Sequence, residues 1–219
     1  LIVYDLFLDS GAEKAIISSA YLDLFIVQNI ECLTEIIYVL QTTARGMMER
    51  ESLGENRIRN YRLRLENASS YGEIWEIVKD TVAYALNQRR AGMMLFLDDL
   101  PIQLGAYHPI GTNNIILNRL LVRAVEASTN SKRVVNALIY NLLLHEYLHA
   151  LGHVSELKVR QLVYYVVREC FGEEHIATAI AKNSPWALLK SIPLDKAFHA
   201  KRVMEIVKDF EKTDQKYIV

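Results

Sequence analysis

One eight-residue run, Leu142-Leu143-Leu144-His145-Glu146-Tyr147-Leu148-His149, narrows the structures open to this chain more than any other feature. It is H-E-x-x-H set in an apolar, helix-favouring segment. On a helix, positions i and i+4 stand one above the other about 6 Å apart, so both imidazoles reach one tetrahedral ion. Glu146 falls about 60° round the helix from His149. It stays off the coordinating face, placed to take a proton from a water in the open fourth position. Two histidines and a glutamate among leucines are costly to bury unless each gains a polar partner, and a shared metal supplies one.

Such a site needs a third protein ligand, and three residues compete for the place. His153 lies two turns beyond His145, about 12 Å along a continued helix, and approaches only if Gly152 breaks that helix sharply. Glu169 stands twenty residues after His149 (169 − 149), but a second helix starting at Ser155 carries it about 20 Å up its own axis. Glu156 sits in the first turn of that second helix, just after the Gly152 reversal, from where a carboxylate swings back to the ion. Its alternative role is to complement the helix dipole. Glu156 is the preferred third ligand, with Glu169 and His153 as alternatives. His145, His149 and Glu156 suit zinc, one ion per chain, better than magnesium or calcium.

The rest of the chain reads as mainly helical. Residues 12 to about 50 carry apolar positions at helical spacing, with Gly46 and Gly54 as expected interruptions. Glu51 to Asn67 is rich in arginine (Arg57, Arg59, Arg62, Arg64) and is expected to present a solvated face. Tyr71 to Arg89 is amphipathic, with Ile74, Ile77, Val78, Thr81, Val82 and Ala85 on one side. Met93 to Leu97 reads as a buried strand. Gln103–Tyr107 and Asn113–Leu117 flank the turn-rich His108-Pro109-Ile110-Gly111-Thr112 as a hairpin. Thr129-Asn130-Ser131 offers an N-cap for the helix running to about Leu151, with Gly152 at its C-terminal reversal. Ser155 caps the next helix, which Gly172 ends. Pro185 and Pro193 break the last forty residues, which finish in a charged amphipathic helix. Trp75 and Trp186 are expected as core anchors, and His175 as a helix-end or loop residue. The expected fold class is α+β, mainly helical: a small sheet from residues 93 to 118 packed on the helix of His145, with an N-terminal helical region over 1–67 and a metal-bearing domain over 68–219.

Composition removes several alternatives. Lys+Arg 25 against Asp+Glu 26 leaves the 219-residue chain nearly neutral, so no basic field points to nucleic acid. Ala15 to Leu40 is long enough to cross a bilayer, but Asp23, Gln28, Asn29, Glu31 and Glu35 interrupt it, and no membrane partner is expected. Cys32 and Cys170, the two cysteines, are far apart and suggest neither a disulfide framework nor a thiolate metal site. A reducing cytoplasm is the expected location.

The run His145-Glu146-Tyr147-Leu148-His149-Ala150-Leu151-Gly152-His153-Val154-Ser155-Glu156 resembles the zincin metallopeptidases, and in size and style looks like the small archaeal minigluzincins. The likeness covers roughly residues 91 to 188. It implies a zinc peptidase in which Glu146 activates a metal-bound water. It also implies a cleft between an edge strand, one of the pair in Gln103–Leu117, and the metal-bearing helix, with an extended peptide or unfolded-protein substrate along that strand. Two positions depart from the larger subgroups: Ser155 stands where metzincins have histidine, and Glu173 where the thermolysin-like group has aspartate. A transition-state donor is sought among His153, His108 and Tyr107, and Arg160 is a candidate partner for a carboxylate. The competing reading is a latent or inactive zinc-binding interaction protein, favoured by the long apolar Ala12–Leu40 segment, through which the chain would also form a homo-oligomer.

Overall fold

The computed structural model describes residues 38, 40–48, 51–183 and 203–211. By contacts the chain divides into two units, 1–54 and 55–219. In the first, residues 40–48 and 51–54 are helical, and Tyr38, Leu40, Met47, Met48 and Leu53 are exposed. Gly46 and Gly54, expected as interruptions, both lie within helical backbone. Residues 12–37, Trp186 and the two proline breaks lie outside the described residues.

The second unit is α+β and mainly helical. Its elements are α1 (55–67), α2 (Tyr71–Leu86), β1 (Met94–Asp98), β2 (Ala106–Tyr107), β3 (Asn114–Asn118), α3 (Arg119–Thr129), α4 (Lys132–Ala150), α5 (Glu156–Phe171), α6 (Ile176–Asn183) and β4 (Glu205–Ile206). The sheet order is β2-β3-β1-β4. β1 and β3 run parallel, with Leu95 opposite Ile115. β2 is antiparallel to β3, with Ala106 opposite Leu117, and β4 is antiparallel to β1.

The core is built around α4. Apart from its ends and the histidine face, nearly every position from Val135 to Ala150 is buried, so its apolar surface extends round the helix and needs neighbours on all sides. α2, α3, α5 and α6 provide them, with β2 and β3 across one flank. Trp75 of α2 is fully buried, edge-on to Tyr147 of α4 and stacked on Phe210, each with ring centroids 4.8 Å apart. Two buried polar side chains are paired within the core: Thr81 shares a 2.7 Å hydrogen bond with the Tyr140 hydroxyl, and Asn136 donates to the carbonyls of Leu65 and Ala68.

Local sequence sets the element ends. Ser70 accepts from the Glu73 N–H at the start of α2, and Asn87 closes that helix at φ 52°. Ser155 caps α5, and Gly172 ends it at φ 76°, where an added Cβ would meet the Arg62 guanidinium at 2.7 Å. Gly105 allows the segment entering β2 to lie against α4, since a Cβ there would come within 2.6 Å of Leu142.

Three expectations are corrected. The arginine-rich face of α1 is in part a docking face: Arg62 donates to the Phe171 carbonyl at 2.6 Å, Arg64 pairs with Asp80 at 2.7 Å, and the Arg57 guanidinium lies 4.0 Å from the Tyr84 ring centroid. Residues 55–67 therefore pack within the second unit. The sheet is not confined to 93–118, because β4 adds a strand at its far edge. Nor are residues 203–211 helical: they pair with β1, turn through Asp209 at φ 56° and anchor through Phe210, while the Glu211 carboxylate accepts from the Met93 N–H and from Lys79.

Candidate metal centre

The last two turns of α4 carry the histidines and the loop after it brings the carboxylate. α4 stops at Ala150, and Gly152 reverses the chain at φ 98°, a left-handed conformation open to glycine at little cost. Ser155 then starts α5 with Glu156 at its first position. The result is three convergent groups. His145 Nε2 and His149 Nε2 are 3.2 Å apart, His149 Nε2 is 3.1 Å from Glu156 Oε1, and His145 Nε2 is 3.3 Å from Glu156 Oε2. Ligand atoms at about 2.0–2.1 Å from a tetrahedral zinc are separated by about 3.3 Å. Among the described residues, these three groups lie close enough together that they could hold a metal ion.

A layer of hydrogen bonds behind these groups fixes one ring. The His149 Nδ1 donates to the His153 carbonyl at 2.8 Å, which orients the ring with Nε2 toward His145 and Glu156. The His153 ring turns the other way and donates from Nε2 to Gln88 Oε1 at 2.9 Å. Glu169 is half-buried beside Arg168 at 3.3 Å. Of the three candidates for third ligand, Glu156 alone joins the histidines. Arg160 stands one turn beyond it, with Nε 3.9 Å from Glu156 Oε2.

Glu146 is 7 % exposed and outside the converging trio. Burial pushes its carboxyl up to about 7; the Glu156 carboxylate adds to the rise, and a hydrogen bond from the His108 backbone N–H opposes it. Burial also holds the His145 imidazole below its ordinary value. A cation among the three ligands would favour the ionised form of Glu146.

A cavity of about 440 Å³ opens beside His145 and Glu146, bounded by residues 103–106 ahead of and into β2, by α5 and by α6. β2 is an edge strand of the sheet on this side. The suggested donors are placed as follows: His108 Nδ1 is bonded to the Asn114 carbonyl at 2.8 Å, His153 Nε2 is engaged with Gln88, and Tyr107 is half-buried on β2.

Sequence reasoning passed over the segment between α2 and β1. Besides Gln88, Arg90 clasps the site from behind: its guanidinium bonds the Ala150 carbonyl at the end of α4 and, at 3.0 Å, the Thr112 carbonyl of the hairpin loop. Its backbone exchanges two hydrogen bonds with the Tyr147 hydroxyl. A run of polar residues after a helix carries no local sign of such a role.

Comparison with family models, curated proteins and solved structures finds no match for the chain. Among the described residues, no helix is long and apolar enough to cross a membrane.

Proposed function

We propose that the chain is a zinc-dependent peptidase. The observation that carries this reading is the convergence of two imidazole nitrogens and a carboxylate at 3.1–3.3 Å, with a separate buried glutamate beside them. A purely structural site has no use for that fourth group. His145, His149 and Glu156 would hold the ion. Zinc, when bound, supplies Lewis acidity toward the scissile carbonyl and acidifies a water.

Glu146 accepts the proton of the attacking water and returns it to the departing amine. The His108 N–H keeps its carboxylate oriented, and burial keeps bulk water from competing for the proton. The edge of β2 offers backbone groups to an extended peptide or unfolded protein, as the resemblance to zincins implies. A cytoplasmic location belongs to the same proposal.

The deciding experiment pairs zinc content with hydrolysis of a quenched-fluorescence peptide library. Glu146→Gln is expected to retain about one zinc per chain and lose at least about 100-fold in kcat, because an amide does not take up the proton. Equal hydrolysis by parent and variant would overturn the mechanism.

A second reading, a latent or inactive zinc-binding interaction protein that assembles through its N-terminal helices, draws on the exposed Tyr38, Leu40, Met47, Met48 and Leu53 of the first unit. Tight zinc binding without cleavage by the parent, whether full-length or lacking residues 1–54, would favour it.

A further inference from the structure

Glu146 is one link in a closed ring of contacts, and Arg90 joins the two arms of that ring. One arm runs along α4. The Tyr147 hydroxyl, one residue on from Glu146, accepts from the Arg90 N–H at 2.7 Å and donates to the Arg90 carbonyl at 3.0 Å. Arg90 Nη1 donates to the carbonyl of Ala150, the last residue of α4, where helix carbonyls lack intrahelical partners. The other arm runs through the loop between β2 and β3. Arg90 Nη2 donates to the Thr112 carbonyl at 3.0 Å and to Asn113 Oδ1. The Thr112 hydroxyl and N–H both donate to the Pro109 carbonyl, at 2.8 and 3.2 Å. Pro109 follows His108, whose ring is tied to the Asn114 carbonyl at 2.8 Å and whose backbone N–H closes the ring on the Glu146 carboxylate.

We propose that Arg90 is a positioning residue for Glu146: by bridging the end of α4 to the 108–113 loop, it holds the His108 N–H on the carboxylate and so fixes that carboxylate's orientation beside the cavity. The proposal rests on the peptidase reading. A hydrogen bond from a loop N–H orients a catalytic carboxylate only as well as the loop itself is placed. The β2 ladder to β3 ends at Tyr107, one residue short of His108, so the loop beyond it is held by other contacts. Arg90 supplies one with two nitrogens fixed in a plane, Nη1 for the helix and Nη2 for the loop. A lysine ammonium does not reproduce that fork. The simpler role of helix cap requires only a cation at the C-terminal end of α4. Positioning requires the Thr112 contact as well.

The two roles part in Arg90→Lys, which keeps a cation at the end of α4 and loses the fork. The test uses the zinc-loaded full chain and the library peptide it cleaves best. Arg90→Lys and Arg90→Ala are expected to keep about one zinc per chain and a KM within about twofold of the parent, and to lose about tenfold or more in kcat. The His108 amide, followed by NMR, is expected to exchange with solvent about tenfold faster in both variants, while the Leu143 amide within α4 exchanges as in the parent. Arg89→Ala, an equal loss of charge at the exposed neighbouring position, should change neither reading. Parent-like kcat or parent-like His108 exchange in Arg90→Lys reduces Arg90 to a helix cap and overturns the proposal. Faster exchange at Leu143 as well makes Arg90 a general stabiliser and overturns it too. If neither variant folds, Asn113→Ala, which takes a loop acceptor from the guanidinium, is judged by the same two readings. If the parent cuts no peptide, the peptidase reading fails on its own, and His108 exchange in Arg90→Lys still decides whether Arg90 holds that N–H.

Discussion

His149 and His175 each bring Nε2 close to a glutamate, 3.1 Å from Glu156 in one case and 3.5 Å from Glu66 in the other. What separates them is the backbone group on the opposite nitrogen. At His149 a carbonyl, that of His153, accepts from Nδ1, so in the neutral ring Nε2 presents a lone pair. At His175 an N–H, that of Ala177, donates to Nδ1, so in the neutral ring Nε2 carries the proton. One tautomer is ready to ligate; the other caps α6. Their surroundings follow suit. The His149 side chain is 19 % exposed, whereas His175 is 1 % exposed and stacked on Phe171 with centroids 5.2 Å apart. On the proposed metal assignment, a nearby carboxylate is a poor guide to a ligand and the partner of Nδ1 is a better one.

The comparison breaks most readily by deleting each ring. His149→Ala is expected to lose stoichiometric zinc after dialysis, measured by elemental analysis, with little change in thermal stability of the metal-free chain. His175→Ala should show the reverse: zinc near one per chain, and a loss of about 2–4 kcal/mol in urea unfolding from the missing cap and the space beside Phe171. Zinc retained by His149→Ala would place the metal elsewhere; zinc lost only from His175→Ala would invert the assignment.

The two histidines also differ in how far the sequence discloses them. His145, Glu146 and His149 are legible because their relation is local, set by helical period alone, and Gly152 and Ser155 announce the reversal that returns Glu156. The same local logic finds α2, α5 and the end of α5 at Gly172. His175 reads as a helix-end or loop residue by that logic, and it does stand at the start of α6, but nothing nearby announces Glu66 or the stacking on Phe171. Gln88 is 65 residues from His153 (153 − 88) and Arg90 is 60 from Ala150 (150 − 90). β4 escapes for a related reason: Met204-Glu205-Ile206-Val207 is too short for periodicity to separate strand from helix, and its pairing with β1 decides.

A smaller effect sharpens the His149 side of the contrast. Gln88 holds the His153 ring, and the His153 carbonyl holds His149, so Gln88→Ala is expected to weaken zinc affinity by about tenfold in competition with a chelating dye. Gln88→Glu keeps an acceptor for the His153 Nε2–H and should restore most of the affinity. Equal affinity in all three chains would show that the His153 carbonyl stays in place without help from its own side chain.

The smallest effect expected is a pH slope belonging to the His175 side. Burial pushes its imidazole down to about 4, with Arg133 and Arg62 adding to the fall and Glu66 opposing it. The unfolded chain, with an ordinary histidine value near 6.5, therefore binds a proton that the folded chain refuses between those two limits. Stability from the neutral ring is complete above about pH 6.5 and declines as pH falls toward 4, with a slope of at most about 1.4 kcal/mol per pH unit. His175→Phe removes the titrating group and keeps a ring against Phe171. Urea midpoints of parent and variant, both in chelator so that metal release adds nothing, are expected to converge as pH falls through this window, because only the parent loses the His175 contribution. His145 titrates in both chains and cancels in the difference. Parallel curves from pH 8 to 4 would mean that His175 takes up its proton in the folded state as readily as in the unfolded one, and the contrast between a neutral capping ring and a ligating ring would then rest on geometry alone.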